Sequence, residues 1–192
     1  GYKYLNGGPG APAFAYVARR HHDELKTPLW GWMGHAAPFD FDTAYRPAEG
    51  VGRLRVGTPP ILSLAALECG VAEIREIGVD VLRSKSEALT GQFIALVERE
   101  CAGHGFELAS PRDNGRRGSQ VSFRHPEGYA IMQALIADGV IGDFRAPDLL
   151  RFGFAPAYVR FVDVWRAVAS LREIMEDGTW DRTEYKDRAK VT

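Results

Sequence analysis

Charge of one sign, cysteine and long apolar runs are all scarce in this chain of 192 residues. Lysine plus arginine number 24 and aspartate plus glutamate 25, which leaves a formal net charge of −1. No global field therefore draws the chain to nucleic acid or to an anionic membrane. The one basic loop, "RDNGRR" from Arg112 to Arg117, is short and isolated and is expected to be a solvated turn. No apolar run approaches the roughly 20 residues that span a bilayer. The first residues show no charged, apolar and small-residue succession of a signal peptide. Cys69 and Cys101 are too few for a disulfide framework. Both fall in helical patterns and are expected as buried small hydrophobes in a reducing compartment. The histidines, including the pair His21-His22, form no zinc-site spacing, so no metal is expected. The cytoplasm is the expected location.

Glycine and proline, by contrast, crowd the first 58 residues in "NGGPGAP", "KTPLWGWMGHAAPFD" and "RPAEGVG". Within them "AFAYV" (Ala13 to Val17) and "GRLRVGT" (Gly52 to Thr58) alternate like strands, and "ARRHHDELK" suits a short helix. Long irregular stretches in a compact chain tend to be functional. The character then changes. Apolar residues recur at helical spacing in Pro59 to Gly78 and again in Val79 to Gly105, with Gly78 either breaking or bending the pair. "FELAS" and "SQVSFRH" predict strands. "GYAIMQALIADG" predicts a helix ending on Gly139, and "VIGDFR" and "LLRFGF" two more strands. Val159 to Gly178 predicts a final amphipathic helix, followed by a polar, loosely held tail to Thr192. The order helix, helix, strand, strand, helix, strand, strand, helix is that of an α+β layer with helices on one face of a small, mostly antiparallel sheet.

Four stretches hold residues suited to chemistry. Lys3 lies between Tyr2 and Tyr4 and ahead of a glycine-rich turn. It is either a surface lysine or an imine-forming nucleophile approached closely by backbone. In "RVGTPPIL", Thr58 is expected as a helix N-cap with Pro59 at the first helical position. Such a start suits phosphate, although the two prolines would leave the site to the Thr58 hydroxyl and the amides of Gly57 and Thr58. "PLWGWMGH" sets Trp30, Trp32 and His35 in a glycine-broken loop, as an aromatic lid or as an anion-facing indole. In "DLLRFGFAPAYVRF", alternation sends Leu150, Phe152 and Phe154 to one face and Arg151, Gly153 and Ala155 to the other. Arg151 is there either to form a structural ion pair or to grip a carboxylate. Arg145 and Arg160 read as surface residues.

Taken together, "YKYLNGGPGAP", "GWMGH", "TPPILSLAAL" and "LLRFGF.P.Y.RF.DVW" occur in an order and spacing that resemble kynureninase, from Gly1 to about Trp180. The resemblance implies an α/β chain of the aminotransferase type (fold type I), dependent on pyridoxal 5'-phosphate. Residues 1–60 would be the end of the large cofactor-binding domain, and 61–192 the small C-terminal α+β domain. By the same resemblance, Lys3 matches the lysine that holds the cofactor as a Schiff base, and Tyr2 a tyrosine that touches its phosphate and helps move protons. Trp32 and the Gly57-Thr58 turn match phosphate-site positions supplied across a homodimer. Arg151 matches the arginine that holds the substrate's α-carboxylate, and His35 a position beside the substrate.

The implied reaction is hydrolysis of L-kynurenine, or of 3-hydroxykynurenine, to an anthranilate and L-alanine in tryptophan catabolism. Kynureninases are roughly twice this length, the size of a two-domain chain. The chain resembles their C-terminal half, from the Schiff-base lysine onward. The N-terminal half carries most of the cofactor cradle and is the expected partner, without which the chain would be inactive. Two alternatives stand beside this. One is a related lyase such as a cysteine desulfurase, which the helical setting of both cysteines argues against. The other is a non-catalytic C-terminal dimerisation or binding module, which the presence of Lys3 and Arg151 argues against.

Overall fold

A computed structural model of the chain describes residues 1–187. It divides into two compact units, Gly1–Glu76 and Ile77–Thr192.

The first unit is mostly irregular. It holds 3-10 turns at Arg19–His21, Trp32–Gly34 and Gly50–Leu54 and one long helix, α1 (Ile61–Ile77), whose last residue belongs to the second unit. The strands expected at Ala13 to Val17 and Gly52 to Thr58 do not form, and the helix expected after Val17 shrinks to a single 3-10 turn. Side chains that seek carbonyl oxygens replace the ladder. Arg53 donates to Ala48 O (3.0 Å) and Leu25 O (2.8 Å), and His22 Nε2 bonds Val17 O at 3.0 Å. Backbone pairing is confined to the bridge between His35 and Pro47, flanked by Ala36 N donating to Arg46 O and Ala48 N to Gly34 O.

The second unit follows the periodicity of its sequence. Helix α2 (Val79–Glu100) starts after Gly78 and buries Leu82, Leu89, Phe93, Ile94 and Val97, one stripe at three- and four-residue spacing. Strands β1 (Glu107–Leu108) and β2 (Gln120–Arg124) come next, then α3 (Gly128–Ala137), β3 (Asp143–Arg145), β4 (Leu149–Gly153), α4 (Phe161–Glu176) and the short α5 (Thr183–Lys186). Gly139 closes α3 with φ 90°, donating to Ile136 O, while Val140 N donates to Leu135 O. That left-handed step is why glycine stands there. Helix α4 is held at its start by Asp163, which accepts from the Arg160 amide and guanidinium. Those bonds pull its carboxyl down to about 2.

The four strands form one antiparallel sheet in the order β1-β2-β4-β3, so β4 lies between two strands that precede it in the chain. Val121 faces Phe152 and Phe123 faces Leu150 across β2 and β4, and all four are buried. Phe93 of α2 packs among Phe123, Phe152 and Phe154, with ring centroids 6.0, 4.8 and 5.2 Å away. Each such side chain contributes about 1.5–3 kcal/mol by burial. The other face of the sheet carries Gln120, Ser122 and Arg124 beside Arg151 and Gly153, with Asp143 and Arg145 beyond.

Three expectations need correction. The "RDNGRR" loop is a solvated turn from Arg112 to Arg116, as expected, but Arg117 at its end is buried. Its guanidinium donates to Pro111 O (2.6 Å), Arg112 O (2.9 Å) and Thr90 Oγ1 (3.1 Å), tying the loop to α2. Burial, with Arg83 nearby, lowers its pKa. Cys69 is exposed on α1, because its position falls off the helix's buried stripe of Gly70 and Ile74; Cys101 alone is buried. The tail is held as far as it is described, since Trp180 and Tyr185 pack against the core; residues 188–192 lie outside the described residues.

Candidate functional site

Lys3 is carried on a looped segment clamped to α1. Asn6 N donates to Lys3 O (3.0 Å), Gly7 N to Gly1 O (3.2 Å), and the terminal amine to Pro12 O (3.1 Å). Asn6 Nδ2 reaches Glu73 Oε2 on α1 at 3.1 Å. The segment can lie this close because residue 70 has no side chain. A Cβ there would come within 2.2 Å of Leu5 O. The lysine itself is exposed, with its ammonium 5.3 Å from the ring centroid of exposed Tyr2. Backbone is fixed and the amine is left accessible.

The Trp32 loop meets the Gly57-Thr58 turn by the same device. A Cβ on Gly31 would overlap Val56 O at 1.7 Å, so only glycine permits that passage. Trp32 is thereby set against the turn: its indole nitrogen lies 3.8 Å from where a Gly57 Cβ would stand. Neither the Gly57 nor the Thr58 amide donates a hydrogen bond among the described residues. Thr58 is not the helix cap expected of it. Helix α1 begins at Ile61, and Pro60 O accepts its first bond, from Leu64 N (3.0 Å), because each proline disfavours the helical conformation of the residue before it, Thr58 and Pro59. The hydroxyl and both amides therefore stand ahead of the helix.

His35 is buried and committed to its own loop. Its Nδ1 accepts from Ala37 N (2.9 Å), which leaves the proton on Nε2 to donate to Ala44 O (3.3 Å). Its ring meets Tyr45 edge-on at 5.3 Å, and Tyr45 stacks on Trp30 at 4.7 Å. These rings, with Trp32, Phe41 and Asp42, line an open cleft of about 430 Å³.

Arg151 occupies the polar face of the second unit, on the central strand β4. Leu150 and Phe152 beside it are buried, as the alternation predicts. Its guanidinium is ion-paired with Asp143, its direct cross-strand partner on β3. Its Nε is buried and has no hydrogen-bond partner among the described residues. Asp143 is the site residue that the sequence reading missed. "DFR" gives no sign of which residue it opposes until the β3–β4 register is known. Gly31 and Gly70 were missed for a related reason, since close passage leaves no periodic trace.

No helix among the described residues is long and apolar enough to cross a membrane, and none of their side chains form a group of three or more His, Cys, Asp or Glu able to hold a metal ion.

Residues 82–171 match the family described as the kynureninase C-terminal domain. Over 191 of its 192 residues, the chain is 52% identical to a kynureninase of Burkholderia mallei (strain SAVP1) and 49% identical to one of Pseudomonas fluorescens, covering 46% of each. The chain thus spans about half the length of the curated relatives it matches. Among solved structures it is similar to an apo cysteine desulfurase of Thermococcus onnurineus NA1, with a TM-score of 0.68 and 18% identity, over 84% of this chain and 42% of that one. It is also similar to a C-DES mutant with glycine covalently linked to its PLP cofactor, with a TM-score of 0.66 and 19% identity, over 82% and 40%. At that identity the likeness shows the fold, and it is the aminotransferase-type α/β fold expected from the sequence.

Proposed function

From a chain related to the kynureninases along its whole length, we propose that it is the C-terminal part of a pyridoxal-phosphate-dependent hydrolase that splits the Cβ–Cγ bond of L-kynurenine or its 3-hydroxy derivative. The products are an anthranilate and L-alanine. The observation that carries the reading is that the chain holds both an accessible Lys3 on a clamped backbone and, apart from it, an unspent donor set at Trp32, Gly57 and Thr58. Two free amides, a hydroxyl and an indole N–H make a donor set that fits a phosphate. The domain division proposed on this reading is the end of a large domain, about 1–60, and a small domain, about 61–192.

Bound pyridoxal phosphate supplies an electron sink for a carbanion beside its imine. The chain's own residues do the rest. Lys3 Nζ would hold the cofactor. Its amine would take the substrate's α-proton and return it, base and then acid. Tyr2, adjacent to it, contacts the phosphate and donates a proton in the later steps. Trp32, Gly57 and Thr58 hold phosphate, across the interface of a homodimer. Arg151 fixes the α-carboxylate, so that the scissile bond is presented in one orientation. His35 sits beside the substrate and acts through the loop that it ties down. The N-terminal part of the same enzyme completes the cradle, and without it the chain is expected to be inactive.

Identity favours this reading over the desulfurase one: 52% to a kynureninase over the whole chain, against 18% to a desulfurase of like fold. A desulfurase also needs a reactive loop thiolate, whereas Cys101 is buried with its pKa pushed up to about 11, and Cys69, though exposed, lies within helix α1. The test joins the chain to the N-terminal part of a kynureninase, adds pyridoxal phosphate, and follows anthranilate release from L-kynurenine. Borohydride reduction with peptide mass mapping locates the cofactor. Anthranilate release, with the cofactor fixed on Lys3 and both lost in Lys3→Ala, supports the proposal. A cofactor fixed on another lysine, or sulfur release from cysteine without anthranilate, overturns it.

A further inference from the structure

We propose that Asp143 is an exchangeable counter-ion for Arg151: it occupies the guanidinium until a ligand carboxylate arrives, and then passes to Arg145. The inference rests on the reading of Arg151 as a carboxylate-binding residue. It assigns to Asp143 and Arg145 a role in setting how tightly that carboxylate is held.

Three observations carry it. Asp143 and Arg151 are directly opposed in the β3–β4 register, so their side chains share the polar face of the sheet. Arg145, two residues along β3, projects to that same face, and its Nη2 lies 3.3 Å from the Asp143 oxygen that Arg151 also binds. One carboxylate therefore serves two guanidinium groups, and neither arginine has another acidic partner among the described residues. One positive charge is left over on this patch, which a ligand carboxylate would neutralise.

Arg151 is also incompletely served. Asp143 takes one of its terminal nitrogens, while Nε is buried without a partner. A planar carboxylate that bridges two guanidinium nitrogens satisfies that group, which Asp143 leaves unbonded. The Asp143 side chain is 44% exposed and stands on an edge strand, so it has room to turn, and Arg145, 53% exposed and already 3.3 Å from it, can keep it when Arg151 lets go. Ligand binding then costs no stranded charge. The leaving carboxylate keeps a guanidinium, and the arriving one gains a fork. Asp143 acts here as a positioning residue, through Arg151, and does not itself touch the ligand.

The experiment titrates L-alanine into the isotope-labelled chain and reads the Nε–H resonance of Arg151 by NMR, with backbone spectra reporting the fold of each variant. Asp143→Asn, with Asp143→Ala as a second variant, is expected to tighten binding about 5-fold by removing the competitor. Arg145→Gln is expected to weaken it about 3-fold, by leaving Asp143 nowhere else to go, and to have no effect once Asp143 is already Asn. Asp148→Asn removes the carboxylate paired with Arg124 and is expected to change nothing at Arg151. A merely structural Asp143 would give weaker binding in Asp143→Asn, and that result overturns the inference. So does an Arg145→Gln effect that persists in the double variant, which would mean general electrostatics. Binding in the unaltered chain that Arg151→Gln does not abolish, or no response at Arg151 at all, overturns the carboxylate role of Arg151, and with it this inference.

Discussion

The two units of the chain obtain their order by different means. In the second, nearly every buried apolar side chain falls on a helical or strand period. Of the buried hydrophobic residues, Ile74 alone lies in the first unit. That first unit exposes Tyr16, Leu29, Phe39, Phe41 and Leu62 and is held instead by side chain-to-carbonyl bonds and by glycines at close crossings. Core burial is cooperative and tolerant of surface change, whereas a crossing fixed by one missing Cβ fails at a single atom. The comparison also bears on function. The donors proposed for phosphate and Lys3 belong to the unit with little core of its own, and the arginine proposed to hold a carboxylate to the unit with a layered one.

Truncating the centre of the second unit tests the comparison most severely. Phe93→Ala removes the ring that touches three other phenylalanines, and is expected to cost about 3–5 kcal/mol in denaturant unfolding of the chain. Loss of under about 1 kcal/mol would mean that this core is not the source of the unit's stability. Gly31→Ala is the matching change in the first unit. Because its Cβ would stand 1.7 Å from Val56 O, the Trp32 loop must leave the Gly57-Thr58 turn. Hydrogen exchange is expected to rise across residues 28–58 while α2–α4 stay protected; uniform loss of protection would join the two units into one cooperative body. The mildest test compares the cysteines. Exposed Cys69 is expected to react promptly with a thiol reagent at pH 8, and Cys101, buried and held protonated by its raised pKa of about 11, only after unfolding. Equal rates would place the α2 terminus in exchange with solvent.

The same contrast explains what could be read in advance. All eight principal elements from α1 to α4 were legible in order, since Leu82, Leu89, Phe93 and Val97, or Leu150 and Phe152, announce their faces by spacing. The strands expected at Ala13 to Val17 and Gly52 to Thr58 failed because local alternation is a promise of pairing, and neither segment pairs with a strand among the described residues. Arg53 reaching for Leu25 O, 28 positions back in the chain, has no period to betray it. At the site, the outward face of Arg151 was legible, and its companion Asp143 was not. Alternation gives a residue's side of the sheet, while opposition across strands needs the register.

The alternation along β4 has an evolutionary consequence. Leu150 and Phe152 answer for the integrity of the fold, while Arg151 between them and Gly153 after them face the other way, the side on which a carboxylate is proposed to bind. Mutations at the second set leave the packing of the first untouched, so selection can retune recognition on this strand without first accumulating a reserve of stability. A single five-residue segment thereby separates heritable variation in specificity from variation in foldedness, and lineages sharing this fold are free to diverge in what they hold while keeping how they stand.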